Sequence, residues 1–198
     1  MEFTINRDIF LKSLSHAYGI VEKKTTLPIL SNILIEAKNS KIRITATDLD
    51  IIYSEVISLK ELKKEGSTTT SASVLYDILR KLEANSKAEL SLQGVNKLQL
   101  ISGNSKFNLL CLSSDNFPLS DEDIKQKTFE VSSKKMLKLL NKTKISISND
   151  ETRHYLNGIY LHKINIENKS FLSGVATDSH RLSSSRLEID SNTNFESI

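Results

Sequence analysis

Three short stretches hold the side chains whose types and spacing could do chemistry. Asp178-Ser179-His180-Arg181 sets an acid, a hydroxyl, an imidazole and a guanidinium side by side. A nucleophilic relay needs such groups hydrogen-bonded in series, and consecutive residues of a strand or turn point in different directions. No Gly-x-Ser-x-Gly elbow accompanies them. The stretch reads as a polar turn or as the rim of a binding pocket, and the spacing opposes hydrolysis by Asp178 and His180. Arg153-His154-Tyr155 joins a cation, a titratable ring and an aromatic in a loop. That triplet suits contact with a phosphate backbone or stacking on a base. Taken alone, it more readily suits a turn into the next strand with Tyr155 packed inward. Between Val131 and Asn149 come Lys134, Lys135, Lys138, Lys142 and Lys144, with no acid among them. Lys134, Lys138 and Lys142 are spaced i, i+4, i+8 and form one helical stripe. Such a stripe attracts phosphates and releases counterions without reading bases. An ordinary solvated face is the plain alternative. Lys23-Lys24 and Arg80-Lys81 are weaker basic spots.

Other chemistries are argued against. His16, His154, His162 and His180 never fall at His-x-x-x-His spacing, and Cys111 is the only cysteine, so no metal site is expected. Asp121 and Asp123 lack the glycine and terminal glutamate of a calcium loop, and Asp48 and Asp50 read as turn residues. There is no glycine-rich phosphate loop, so no cofactor is expected. One cysteine excludes an internal disulfide framework. The 198 residues carry a net charge of +3, which implies an anionic partner only where charge is clustered. No apolar run approaches the ~20 residues of a membrane span. Met1 to Asp8 has no basic start followed by an apolar stretch, so no secretion signal is expected. The expectation is a cytoplasmic protein without a membrane partner.

Periodicity supplies the elements. A helix is expected over 6–21, capped by Asn6, with Asp8 in its first turn and Gly19 near its end. Ile9, Phe10, Leu14, Ala17 and Tyr18 form its apolar face. Pro28 precedes a segment at 29–37, the alternation at 41–47 gives a strand, and 51–59 gives another. A second helix spans about 73–84, started by Ser71 or Ser73, with Leu75, Ile78, Leu79 and Leu82 inward. Short strands follow at 89–92, 98–101 and 106–112, with turns at Gly94 and Gly103. Residues 116–127, with Pro118 and Asp121-Glu122-Asp123, read as a linker, and a helix follows at about 132–145, with Met136, Leu140 and Thr143 off the lysine stripe.

After the linker the pattern restarts. Phe3-Thr4-Ile5 corresponds to Phe129-Glu130-Val131, and Phe10-Leu11-Lys12-Ser13-Leu14 to Met136-Leu137-Lys138-Leu139-Leu140. Asn32-Ile33-Leu34-Ile35 corresponds to Asn157-Gly158-Ile159-Tyr160, and Ala46-Thr47-Asp48 to Ala176-Thr177-Asp178. The offsets are 126, 126, 125 and 130. The second copy has 72 residues and stops before the counterpart of the second helix, so the chain is expected to be the N-terminal piece of a longer repeat protein.

Four segments carry a family resemblance: residues 26–32 (Thr-Leu-Pro-Ile-Leu-Ser-Asn), 45–49 (Thr-Ala-Thr-Asp-Leu), 155–158 (Tyr-Leu-Asn-Gly) and 175–182 (Val-Ala-Thr-Asp-Ser-His-Arg-Leu). Together they resemble the beta subunit of bacterial DNA polymerase III, along the whole chain; the family pattern has glycine where Ser179 stands. The resemblance implies an α+β fold of repeated processivity-clamp domains, with antiparallel sheets outside and helices lining the inner face. It implies a complete first domain at 1–118, a linker at 119–127, a truncated second domain at 128–198 and no third. By the same resemblance the whole protein is a non-enzymatic ring of two chains that encircles duplex DNA and tethers the polymerase. Its partners would be sequence-independent duplex DNA, the catalytic subunit of DNA polymerase III, the clamp loader and, in the full-length form, a second copy. Carried over by position, Lys24, Arg153, His154 and Tyr155 would meet DNA, beside the stripe Lys134, Lys138 and Lys142. Leu156, Thr177, Ser179, His180, Arg181 and Leu182 would form a partner-peptide pocket, and Lys106, Phe107 and Leu109 the dimer interface. A stand-alone or vestigial peptide-binding module, unable to close a ring, is the other reading.

Overall fold

The computed structural model describes residues 1–21, 26–94, 96–118, 129–193, 195 and 197–198. The chain divides into two compact units, Met1–Asp121 and Glu122–Ile198.

In the first unit, strand β1 (Glu2–Asn6) runs directly into helix α1 (Arg7–Tyr18). Asn6 makes the junction, its side-chain oxygen accepting from the N–H groups of Asp8 at 2.9 Å and Ile9 at 3.2 Å. Those are helix-start donors with no partner inside the helix. The helix buries Phe10, Ser13, Leu14 and Ala17. Ile9, expected on that face, is 54% exposed; Ser13 completes the stripe with Phe10, Leu14 and Ala17, leaving Ile9 at its solvent edge. Pro28 opens a 3₁₀ turn (Pro28–Ser31), so strand β2 starts only at Asn32 and runs to Lys38. Then follow β3 (Lys41–Thr47), β4 (Ile52–Ser58), β5 (Glu61–Lys64) and β6 (Gly66–Ser71). Helix α2 (Ala72–Lys81), capped by Ser71, leads to β7 (Lys87–Gln93), β8 (Lys97–Ser102) and β9 (Ser105–Leu112).

Hydrogen bonding joins the strands in the order β4-β3-β2-β6-β9-β8-β7-β1-β5, every pair antiparallel. The link between β6 and β9 consists of two residue pairs, Thr69 with Leu112 and Thr70 with Cys111. Over residues 105–110, therefore, β9 is paired among the described residues on its β8 side alone. Both helices pack on the sheet and on each other, with the Tyr18 and Tyr76 rings stacked 5.0 Å apart. Strand β6 gives no apolar alternation in the sequence, because its buried residues are threonines. Thr69 and Thr70 send their hydroxyls to the carbonyls of Leu112 and Leu110, each at 3.0 Å, which is how polar side chains are accommodated inside. Cys111 is a free, buried thiol whose pKa is pushed up by that burial.

The second unit contains helix α3 (Ser133–Thr143), a 3₁₀ turn (Lys144–Ser146), a kinked 3₁₀ segment (Glu151–Leu156) and strands β10 (Tyr160–Ile166), β11 (Lys169–Thr177) and β12 (Leu182–Ile189). The three strands form an antiparallel sheet in sequence order. Its core is small: Leu139, Leu172 and Leu187, with Met136 and Leu140 packed against them. Gly174 lets α3 sit down on β11, since a Cβ there would lie 2.6 Å from Leu139 Cδ2.

This unit repeats the α1-β2-β3-β4 pattern of the first. The cross-strand pair Ile35–Ile44 has its counterpart in Leu161–Gly174, offsets of 126 and 130. The motif alignment, by contrast, sets Asn32 against Asn157 at 125. The structure moves β10 by one residue, which places Ile159 and Leu161, like Ile33 and Ile35, on the core face under the helix. A one-residue shift inverts every side chain of a strand, so burial decides the register against the shared asparagine.

Candidate functional site

Helix α3 turns Leu139 and Thr143 inward and leaves Lys134, Lys135, Lys138 and Lys142 exposed. Thr143 donates its hydroxyl to the Leu139 carbonyl at 3.0 Å, so the buried end carries no loose polar group. None of the lysines at 134, 138 and 142 is in an ion pair among the described residues. The stripe is one exposed row of positive charge about two turns long. Lys24, also expected to meet DNA, lies outside the described residues.

Arg153 sits at the kink of the 151–156 segment, at φ −115° and ψ 52°. The Asp150 carboxylate holds the segment. It accepts from the Thr152 hydroxyl at 2.6 Å, the Thr152 N–H at 2.9 Å and Arg153 Nε at 2.8 Å. These bonds, those from Thr152 foremost, hold the Asp150 pKa down at about 2. Arg153 Nη1 donates to Ser179 Oγ at 3.0 Å, so the two polar stretches of the sequence meet in space. Nothing in their spacing signals that contact. Beside the tethered arginine, His154 and Tyr155 are exposed, Tyr155 at 74%, their rings edge-to-face at 6.3 Å.

The turn after β11 is held from within. Asp178 Oδ1 accepts from the N–H groups of Arg181 and His180, each at 3.0 Å, and Oδ2 accepts from Arg181 Nε at 2.9 Å. The two backbone bonds depress the Asp178 pKa to about 2. Thr177 Oγ1 donates to the Arg181 carbonyl at 2.7 Å and accepts from the Ser179 N–H at 3.2 Å. Ser179 stands at φ 77°, the left-handed region that favours glycine. The acid is spent on main-chain donors and on arginine, and Ser179 on Arg153, so the stretch is a structural turn and not a relay.

The first unit contains the same turn. Asp48 Oδ1 accepts from the N–H groups of Ile51 and Asp50, and Thr47 Oγ1 from that of Leu49, which stands at φ 84°. This is the role of Asp48 and Asp50: among the described residues no group of three metal-ligating side chains comes together.

A cleft of about 290 Å³ opens in the second unit beside the 177–181 turn, walled by Leu156, Ile159, Tyr160, Val175 and Thr177, with the exposed Tyr155 also lining it. Of the residues expected in a peptide pocket, Leu156 and Thr177 line the cleft. Ser179, His180, Arg181 and Leu182 form the exposed turn beyond it, with Leu182 66% exposed. Ile159, Tyr160 and Val175 escape sequence reasoning because an apolar strand residue looks the same whether it lines a core or a cleft. On β9, Lys106 is exposed, Phe107 is half-buried against the core and Leu109 is buried within it; the neighbouring Leu110 stands 86% exposed.

Two compact antiparallel β units share one helix-and-strand pattern, and the second displays a lysine row that is in no ion pair among the described residues. The family model of the DNA polymerase III beta subunit, N-terminal domain, matches residues 1–121, and that of its central domain matches residues 130–198. The chain belongs to the DNA polymerase III beta subunit family. It is 39% identical over 185 residues to the beta sliding clamp of Caulobacter vibrioides, covering 92% of this chain and 49% of that protein. It is 35% identical over 192 residues to that of Buchnera aphidicola, covering 97% and 51%. A crystal structure of the Caulobacter crescentus beta sliding clamp superposes with a TM-score of 0.92 at 35% identity, covering all of this chain and 53% of that one. The Pseudomonas aeruginosa DNA polymerase III beta subunit gives 0.84 at 32%, covering 95% and 50%. The chain spans about half the length of the relatives it matches. No helix among the described residues is long and apolar enough to cross a membrane.

Proposed function

We propose that these residues are the N-terminal half of a DNA polymerase processivity factor, a ring that encircles duplex DNA and tethers the replicative polymerase without catalysis. The observation that carries this is the α3 lysine row, exposed, unpaired and free of acids. Point charges on a rigid helix hold phosphates at any sequence, and weak, sequence-blind contacts are what a sliding body needs. Tyr155 and His154 add stacking surface at the edge of the same unit. Arg153 keeps two of its nitrogens engaged with Asp150 and Ser179, and so presents only the remainder of its guanidinium to DNA.

The cleft at Leu156 and Thr177 is the docking place for short apolar peptides of the polymerase catalytic subunit and the clamp loader. Preformed apolar walls are how short peptides gain affinity. The β9 edge, with Lys106 and Phe107 as expected and the exposed Leu110 in place of the expected Leu109, which is buried in the core, is the dimer contact in the cytoplasm. Domain limits of 1–118 and 128–198, joined by a linker at 119–127, belong to the same proposal, as does Lys24 as a DNA contact.

The test is a chimera joining residues 1–198 to the remaining half of the Caulobacter vibrioides clamp. Loaded onto a nicked circular plasmid, it should stay bound through gel filtration and be lost once the plasmid is linearised. A folded, dimeric chimera that is not retained on the circle overturns the proposal. The cleft favours a second reading, a peptide-binding module active without a ring. Saturable binding of a clamp-binding peptide by the 198-residue chain, weakened by Leu156→Ala, would establish it; no binding at millimolar peptide would remove it.

A further inference from the structure

The sheet of the first unit has two faces. Strands β2 and β3 turn Ile35, Ala37, Ile42 and Ile44 to the core, with Phe10 and Leu14 of α1. The alternate residues point the other way. On that outer face Leu34 and Thr45, a cross-strand pair, are buried, and so is Thr69 beside Leu34. Two residues further along, the cover ends. There Glu36, Lys38, Asn39, Lys41, Arg43 and Val56 line a recess of about 400 Å³.

The charges of this recess are set against one another. Lys38 and Lys41 are directly opposite across the hairpin, and like charges so placed repel. Arg43 follows Lys41 on the same face of β3, about 7 Å along the strand. All three are exposed, and none is in an ion pair among the described residues. Glu36 is directly opposite Arg43 and still does not pair with it. Glu65 is engaged elsewhere, accepting from the Asn39 N–H at 2.8 Å. Val56, opposite Arg43 on the other side, is half exposed. The recess thus sets three cations against one acid, with an aliphatic side chain beside them and no aromatic ring among the described residues that line it.

We infer that the recess is a docking site for an acidic segment of a partner protein, extended, with carboxylates at alternate positions and an aliphatic side chain next to them. Alternate residues of an extended chain lie about 7 Å apart on one face, which is the spacing of Lys41 and Arg43. A carboxylate between Lys38 and Lys41 relieves their repulsion, and a second pairs with the Arg43 fork. The aliphatic side chain covers Val56. A single nucleic-acid strand matches the recess less well, because unstacked bases need rings to lie on and the lining offers none. The site belongs to the first unit, on the sheet face away from its helices, and neither the lysine row nor the cleft contributes to it.

The test is an NMR titration of the 198-residue chain with the peptide Ser-Asp-Ser-Asp-Ser-Leu-Ser at about 50 mM salt, where charge pairs are little screened. The amides of Lys38 and Val56 should shift saturably, with that of Leu139 on α3 unmoved. Replacing both Lys41→Ala and Arg43→Ala should weaken binding by at least about tenfold. Glu36→Gln removes the acid of the lining and should tighten binding about threefold, a gain that no loss of folding can produce. Four results overturn the inference: no shift at millimolar peptide, equal affinity for the peptide with asparagine at both acidic positions, unchanged affinity in the double variant, or tighter binding of oligothymidylate at the same amides. The last would make a nucleic-acid strand the occupant.

Discussion

The lysine row on α3 makes a quantitative prediction about salt. Each phosphate neutralised on duplex DNA contributes about −0.9 to the slope of log K against log salt. Lys134, Lys138 and Lys142 lie on one face, exposed and unpaired, so each is available to one phosphate. Replacing all three by alanine should make the slope shallower by about 2.7. Between about 50 and about 200 mM salt, wild-type binding should therefore weaken roughly 40-fold more than that of the triple variant. The assay is fluorescence anisotropy of the 198-residue chain on a short labelled duplex across that salt range. A control triple, Lys60, Lys87 and Lys97 to alanine, removes the same net charge from exposed positions of the first unit. If the control flattens the slope as much as the α3 variant does, the row is an ordinary solvated face and the reasoning is refuted. The change should also be the same on unrelated duplex sequences, since lysines on a helix face of this kind meet backbone and not base edges.

Other predictions follow from the packing and the turns. Gly174→Ala drives a methyl against Leu139 and should cost the second unit about 1–3 kcal/mol, read as a lower urea midpoint at Leu172 and an unchanged one at Leu90. Asp178 should titrate near 2 in carboxyl NMR, against about 3.9 in an unfolded chain. Because its folded pKa is depressed, its stabilisation of the turn is present above about pH 4 and is lost as pH falls toward 2; a midpoint at 3.9 would mean that its backbone bonds do not hold in solution. Leu110→Asp changes an exposed residue on the free stretch of β9, so it should leave the fold of this chain intact and shift the full-length chimera from dimer to monomer in analytical ultracentrifugation.

Much of this architecture is legible residue by residue. The 41–47 strand, the Asn6 cap and the α3 stripe follow from alternation, a short polar cap and i, i+4 spacing, all of them local. Strand β6 is illegible because its buried Thr69 and Thr70 are satisfied by β9, 43 and 40 residues away in sequence. The register of β10 is misread because a shared asparagine outweighs burial in a sequence comparison, whereas burial sets the pairing. Arg153 meeting Ser179 has no local signal, and the cleft wall at Ile159 and Val175 has the composition of a core. What a sequence conceals here is pairing at a distance, and the cleft is made of it.

The turns at 47–51 and 177–181 are each fastened almost entirely by their own threonine and aspartate. A fastening built so largely from within, with the Arg153 bond to Ser179 Oγ as an added tie at the second turn, leaves the tip free to diverge. One tip carries Leu49 and Asp50, the other Ser179 and His180, on the same backbone path with opposite surface character. The framework thus behaves as a socket with an exchangeable face: what each unit displays at that corner can change over evolutionary time, or at the bench, without renegotiating the strands that carry it.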